Sequence, residues 1–371
     1  MKVARKLFFI GLGIAGGSAH AQVPDLLTSF DAGGRAFGAG GSLYGSSADT
    51  LSTHYNPAGL GYVSQPIAAM ASRSFPDTKT VVTGPLNDLR LESFDFTGDV
   101  RLSHIGYAKP LGKGKGGIGI SWTVGGAMHD DQFGNNLPGG ISQYLDSIRI
   151  NTSFLNLAWG RATEDQSFSF GVGVVLAMNS VYNRQRIVFT DPNIPTIDTR
   201  SEDEGFGVGA LAGIIMTPKG RSNLTIGASV RTPIEIQDPQ DAGTLYSKIP
   251  GRAAFSLAVR QDGYRGGSDF MVYGLEVEHF FSTESSERVM QESHTAAHIG
   301  LEYHYSKESF TIPIRIGYSA VPAGGDNLGS RNVFTYGLGY RPSGANWVVD
   351  VAFGNVDSGA KDTAFTFGIR F

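Results

Sequence analysis

His294, His298, Glu302 and His304 share one parity along the chain. Three imidazoles and a carboxylate are the residue types of a metal site or a proton relay. On a strand those spacings separate the side chains by about 7 to 14 Å, too far for one ion without ligands from elsewhere. Ion pairing with Glu276, Glu278 and Arg315 is the simpler reading, and neither a metal nor a cofactor is expected. Arg231, Arg252 and Arg315 are the cations that could hold the carboxylate of a ligand. Catalysis would need a nucleophile within hydrogen-bond reach of a His base, and no local Ser–His arrangement is distinctive. Gly11 to Gly17 matches a dinucleotide-binding glycine pattern but lies in the leader, and Gly207-Val208-Gly209 has no helix after it. The chain is therefore not expected to be an enzyme.

The elements that must position these residues are strands. In GIGISWTVGGAM, Ile118, Ile120, Trp122 and Val124 oppose Gly119, Ser121 and Thr123, and Phe365, Phe367 and Ile369 oppose Ala364, Thr366 and Gly368 near the end of the chain. Period two arises because successive Cβ atoms point to opposite faces of a strand. Fourteen such segments fall at about residues 63–75, 100–110, 117–128, 150–161, 167–182, 204–217, 222–233, 249–261, 268–281, 294–306, 311–320, 331–341, 346–354 and 362–371. Tight connections such as LGKGKG, ATEDQ and SKES alternate with longer ones. An even strand count with short turns on one side and long loops on the other predicts a transmembrane up-and-down β-barrel of 14 antiparallel strands. The row holding Glu302 must then face the lumen, since charge on the lipid face is costly. Phe133, Tyr144, Phe189 and Tyr246 fall in the loops expected on the outer side.

Lys2, Arg5 and Lys6, an apolar run to Ile14 and the Ala19-His20-Ala21 step read as a secretory signal peptide over residues 1–21. Residues 22–62 carry no strand pattern and are expected to form an N-terminal hatch or plug, with 63–371 the barrel. Without the leader's three cations, 27 of the 30 Lys and Arg remain against 34 Asp and Glu, a formal charge of −7. That balance disfavours nucleic acid as a partner, and the absence of Cys excludes disulfides and thiolate chemistry. The 51 glycines together with 11% aromatics suit crowded sheet surfaces rather than a disordered chain.

Within the first segment, a short helix over Ala48–Tyr55 is expected to end at Asn56, because Pro57 disfavours the α region before it. The run GGRAFGAGGSLYGSSADTLSTHYNPAGLGYV resembles the N-terminal signature of the long-chain fatty acid transporter (FadL-type) outer-membrane family and its PorV-like relatives. The resemblance covers Gly33 to Leu60 in motif, and in architecture it extends over the barrel.

For the FadL branch the resemblance implies a monomeric barrel taking up hydrophobic molecules passively and releasing them sideways where the third strand kinks. Gly125 and Gly126 are the positions for such a lateral opening, and Asn56, Pro57, Ala58 and Gly59 would be the gating tip of the hatch. PorV-like members imply a role in protein secretion or surface attachment instead. The terminal Phe371 resembles the signal read by the barrel-assembly machinery, which implies outer-membrane lipid around the barrel and periplasmic termini.

Overall fold

The computed structural model describes residues 23–24, 32–75, 77–83, 90–96, 99–112, 116–137, 139–237, 248–283, 292–324, 328–356 and 361–371. The expected signal peptide over 1–21, most of 22–31, and Tyr246 lie outside them. All fourteen expected segments are strands: β1 (Ile67–Phe75), β2 (Asp99–Pro110), β3 (Gly117–Leu137), β4 (Ile141–Ala162), β5 (Phe168–Phe189), β6 (Ile197–Met216) and β7 (Leu224–Arg231). The second half comprises β8 (Arg252–Tyr264), β9 (Asp269–Phe280), β10 (His294–Ser306), β11 (Phe310–Val321), β12 (Arg331–Pro342), β13 (Trp347–Val356) and β14 (Lys361–Arg370). Each pairs antiparallel with its neighbours, and β14 pairs with β1, from Ile67↔Arg370 to Arg73↔Ala364, so the sheet closes on itself. Closure removes the free edges whose polar groups lipid could not satisfy.

The outward rows are apolar and exposed: Ile105 and Tyr107 on β2, Leu155 and Leu157 on β4, Ile299 on β10, and Phe334, Tyr336 and Leu338 on β12. Such a continuous belt suits lipid and not water. Among the described residues no helix is long and apolar enough to cross a membrane.

β3 to β6 run for 21, 22, 22 and 20 residues, well beyond the periodic segments read from the sequence. Within the stretches 129–149 and 183–203, expected as loops, residues 129–137, 141–149, 183–189 and 197–203 are strand continuations. Above the apolar belt both faces meet water, so the alternation vanishes while the backbone ladder goes on. There Tyr144 and Phe189 pack with Ile197 against buried Leu137, Ile141 and Ile187, which holds the tall hairpins together.

The glycines have a common purpose that only the register displays. Gly117, Gly160, Gly171 and Gly213 stand opposite one another across β3 to β6. Gly274, Gly300 and Gly317 do so across β9 to β11. A Cβ on Gly274 would sit 2.6 Å from Ser42 Oγ, one on Gly300 or Gly317 would strike Ala39, and one on Gly171 would strike Pro57. The segment from Gly33 to Tyr62 therefore lies against bare backbone on strands all round the ring, which places it inside the barrel.

Candidate functional site

The inner segment is built from short turns. A five-residue helix, α1 (Gly34–Gly38), is followed by Gly40 and Gly41 at φ +69° and +83°. Asp49 then caps a 3₁₀ turn over Thr50–Thr53 in a reciprocal capping box with Ser52. Pro57 does not simply stop a helix, as expected from the sequence: it opens a second 3₁₀ turn, Pro57–Tyr62, with Asn56 as N-cap. Its missing N–H costs nothing at a first-turn position, and Asn56 Oδ1 accepts from Ala58 N at 3.2 Å.

Asn56 is fully buried and works in both directions. Its Nδ2 donates to Gly45 O at 2.9 Å, to Ile214 O of β6 at 3.1 Å and to Ala228 O of β7 at 3.4 Å. Ala58 O accepts from Ser169 Oγ of β5 at 2.7 Å, and Gly59 has no room for a side chain against Ser47 and Ser52. Asn56 to Gly59 thus fastens the segment to the wall at the level of the short turns. Asn56→Ala leaves buried carbonyls without their donor, and roughly 1–3 kcal/mol of docking free energy is lost. Limited proteolysis of the folded barrel should then cut within residues 32–62, where wild type resists.

Charged side chains hold the other half of the segment. Glu302 of β10, fully buried, receives Arg35 of α1 (Nη2 to Oε1 3.1 Å, Nε to Oε2 3.3 Å) and Arg315 of β11 (Nε to Oε2 2.5 Å). His304 Nε2 lies 2.7 Å from Glu302 Oε1, and Arg315 Nη1 lies 2.7 Å from Asp350 Oδ1 of β13. The Glu302 carboxylate raises the pKa of Arg35. Burial raises that of Asp49. Nearby, Arg252 of β8 pairs with Glu278 and lies 3.6 Å from Glu276, both on β9, while Glu276 Oε2 accepts from Gly45 N at 2.9 Å. His298 lies 3.4 Å from Glu278 and 3.0 Å from Gly40 O. His294 stacks on Phe280. Of the row His294, His298, Glu302 and His304, the last three belong to an ion-paired seam on the inner face of the barrel.

Of the three arginines considered for a ligand carboxylate, Arg252 and Arg315 are taken up by these acids. Arg231 is different. It is 5% exposed, donates to Pro250 O at 3.3 Å, lies 5.1 Å from the Phe154 ring, and has no carboxylate within 4.0 Å among the described residues. His54 faces the same ring at 5.2 Å. Burial, followed by Arg231 and Arg252, pushes the His54 pKa well below the ordinary imidazole value, so it is neutral. Phe154 escaped the sequence reading, although an aromatic in the inner row Thr152, Asn156, Ala158 and Gly160 is a visible anomaly.

The wall beside Phe154 parts. β2 and β3 pair from Pro110↔Gly117 to His104↔Thr123 and no further. β2 continues along β1 to Asp99, and β3 continues along β4 to Leu137. Each strand carries a bulge at the fork: Ser103 is the extra residue opposite β1, and Gly125 the extra residue opposite β4. A bulge bends its strand and increases the local twist, so two bulges at one level turn the strands away from each other. The Phe154 ring occupies the space a Gly125 side chain would need. Higher up, Asp77–Thr83 pairs in parallel with β3, from Asp77↔His129 to Val81↔Phe133. The unpaired stretch is framed by 99–103 on one edge and 124–128 on the other, with His104 at its foot bonded to Thr123 and Thr50 at 2.9 and 3.0 Å.

A second inward fold was not foreseen. After β7 the chain crosses the inner face of β6, where Ile234 and Ile236 fill the space over Gly205, Gly207 and Gly209. Ile234 and Ile249 are fully buried there. The alternate glycines were readable as a receiving surface, but the segment that covers them was not.

No family model matches the sequence, and no curated protein does. Solved structures match over nearly the whole chain. A FadL homologue of Pseudomonas aeruginosa superposes with a TM-score of 0.63 at 15% identity, covering 93% of this chain and 99% of that one. The toluene transporter TodX of Pseudomonas putida gives 0.58 at 13%, covering 94% and 98%. The toluene transporter TbuX of Ralstonia pickettii gives 0.56 at 14%, covering 93% and 99%. With its closed ring of fourteen strands, this chain has the fold of the FadL-type outer-membrane channels.

Proposed function

We propose that this chain is an outer-membrane channel for passive uptake of hydrophobic small molecules, from monoaromatic hydrocarbons to fatty acyl chains, and that cargo leaves through the parted wall between β2 and β3. The parting at His104↔Thr123 is the observation that carries this reading. Residues 32–62 act as a hatch across the short-turn end, so a molecule in the lumen finds that end closed and the lipid-facing side open. An apolar molecule gains by passing into acyl chains, at about 25 cal/mol per Å² kept from water, and no energy source is needed. The short turns face the periplasm, as do both termini, and the exposed Phe371 is the signal for the assembly machinery. The barrel works as a monomer. Asn56, Pro57, Ala58 and Gly59 anchor the hatch, and Arg231 is the cation left for an acidic cargo.

The reading is tested with the full chain in vesicles whose outer leaflet is lipopolysaccharide, which slows apolar solutes. Toluene and a fatty acid should enter faster than in protein-free vesicles, and a sugar of similar size should not. Sugar permeation, or no gain for either apolar solute, would overturn it.

A further inference from the structure

We infer that the short-turn rim of the barrel carries a specific site for an anionic phospholipid headgroup, formed by Lys109 of β2 and Arg161 of β4 on either side of β3. The net charge of the chain conceals its distribution. The short turns and their flanks (109–117, 161–168, 216–224, 260–269, 306–310 and 341–347) hold ten Lys and Arg against five Asp and Glu. The opposite loops (76–98, 138–140, 190–196, 232–251, 281–293, 322–330 and 357–360) hold four against thirteen. A phosphate-bearing surface is thus matched on one side only.

Register focuses the match. Lys109 stands opposite Ile118, which stands opposite Trp159, and Arg161 follows two residues on. Lys109 and Arg161 both point outward and are exposed. Two strand spacings separate β2 from β4 by about 10 Å, so two long side chains reach one phosphate from either side. Neither cation has a carboxylate within 4.0 Å among the described residues, whereas Lys219 on a nearby turn is already paired with Asp165 at 3.2 Å. Trp159, edge-on to Phe170 at 5.5 Å, provides the aromatic floor favoured at a membrane interface.

The outward residues directly above are Tyr107, Ile120 and Leu157, all exposed. An occupant held by its phosphate must therefore lay an apolar tail against the wall, which selects a bilayer lipid over a soluble acidic protein. With the short turns on the periplasmic side, a reading taken from the proposed function, the lipid belongs to the inner leaflet. The site itself stands whether or not the channel takes up apolar solutes.

Trp159 reports on the site once Trp122 and Trp347 are replaced by Phe. The full chain is reconstituted in vesicles containing phosphatidylglycerol or phosphatidylcholine brominated on the acyl chains. Quenching should show roughly thirtyfold preference for phosphatidylglycerol, as two cations near a membrane surface give. The preference should vanish in Lys109→Gln/Arg161→Gln and survive in Lys219→Gln, whose charge loss is equal per residue but lies outside the site. Equal quenching by the two lipids, persistence in the double variant, or removal of the preference by millimolar inorganic phosphate or polyglutamate would each overturn the inference. Heat-modifiable migration on gels shows that each variant is folded, and a double variant that fails this check is replaced by Lys109→Met/Arg161→Met.

Discussion

Deleting Gly125 should lower uptake of apolar solutes on the order of tenfold while leaving the barrel folded. Gly125 is the extra residue between Val124↔Ser153 and Gly126↔Thr152. Without it the β3–β4 ladder becomes regular and β3 loses the bend that carries it from β2. Residues 124–128 can then continue the pairing that now stops at Thr123. The deletion removes no side chain, and the hydrogen bonds gained along β2 offset any local strain. Stability by heat-modifiable migration should match or exceed wild type, so a loss of uptake would not reflect unfolding. Gly125→Ala tests the same place differently, because its methyl group displaces the Phe154 ring at the opening.

Glu302→Ala should have the largest effect on stability, on the order of 3–5 kcal/mol. Glu302 sits among Arg35, Arg315 and His304, and its removal leaves fully buried Arg315 with Asp350 and strips Arg35 of its ion-pair partner. Removing one partner of a buried pair costs far more than the pair contributes, since the survivor is charged in a poorly solvating place. Urea unfolding followed by tryptophan fluorescence measures this loss. Because Arg35 belongs to the inner segment and Arg315 to the wall, the variant should also make residues 32–62 accessible to protease. Glu302→Gln retains the shape and some hydrogen bonds and should fall between the two.

The barrel was legible because each membrane crossing must hide one face from water and present the other to the lumen, and that demand is written in single strands. Ile299 and Leu301 against His298 and Glu302 is such a record. The heights of β3 to β6 were not legible, since His129 to Leu137 lies where neither face is required to be apolar. Gly125 was readable as a weak point in β3, but Ser103 was not, because a bulge is a relation between two strands. The same holds for Gly300 and Gly317, each a lone glycine in sequence and a single track in register. Asn56 and Pro57 marked a break in local structure, and the break is real. What no local pattern could display was the partner carbonyl on Ile214, 158 residues away.

If cargo leaves between β2 and β3, tying those two strands together must stop it. The chain contains no Cys, so Ser103→Cys/Val124→Cys places one thiol on each edge of the fork without background. Uptake into lipopolysaccharide-faced vesicles, measured before oxidation, after oxidation and after reduction, is the direct test. Uptake should be normal with free thiols, lost in the fraction that has crosslinked, and recovered when the disulfide is reduced. Undiminished uptake by fully crosslinked barrels would contradict exit between β2 and β3.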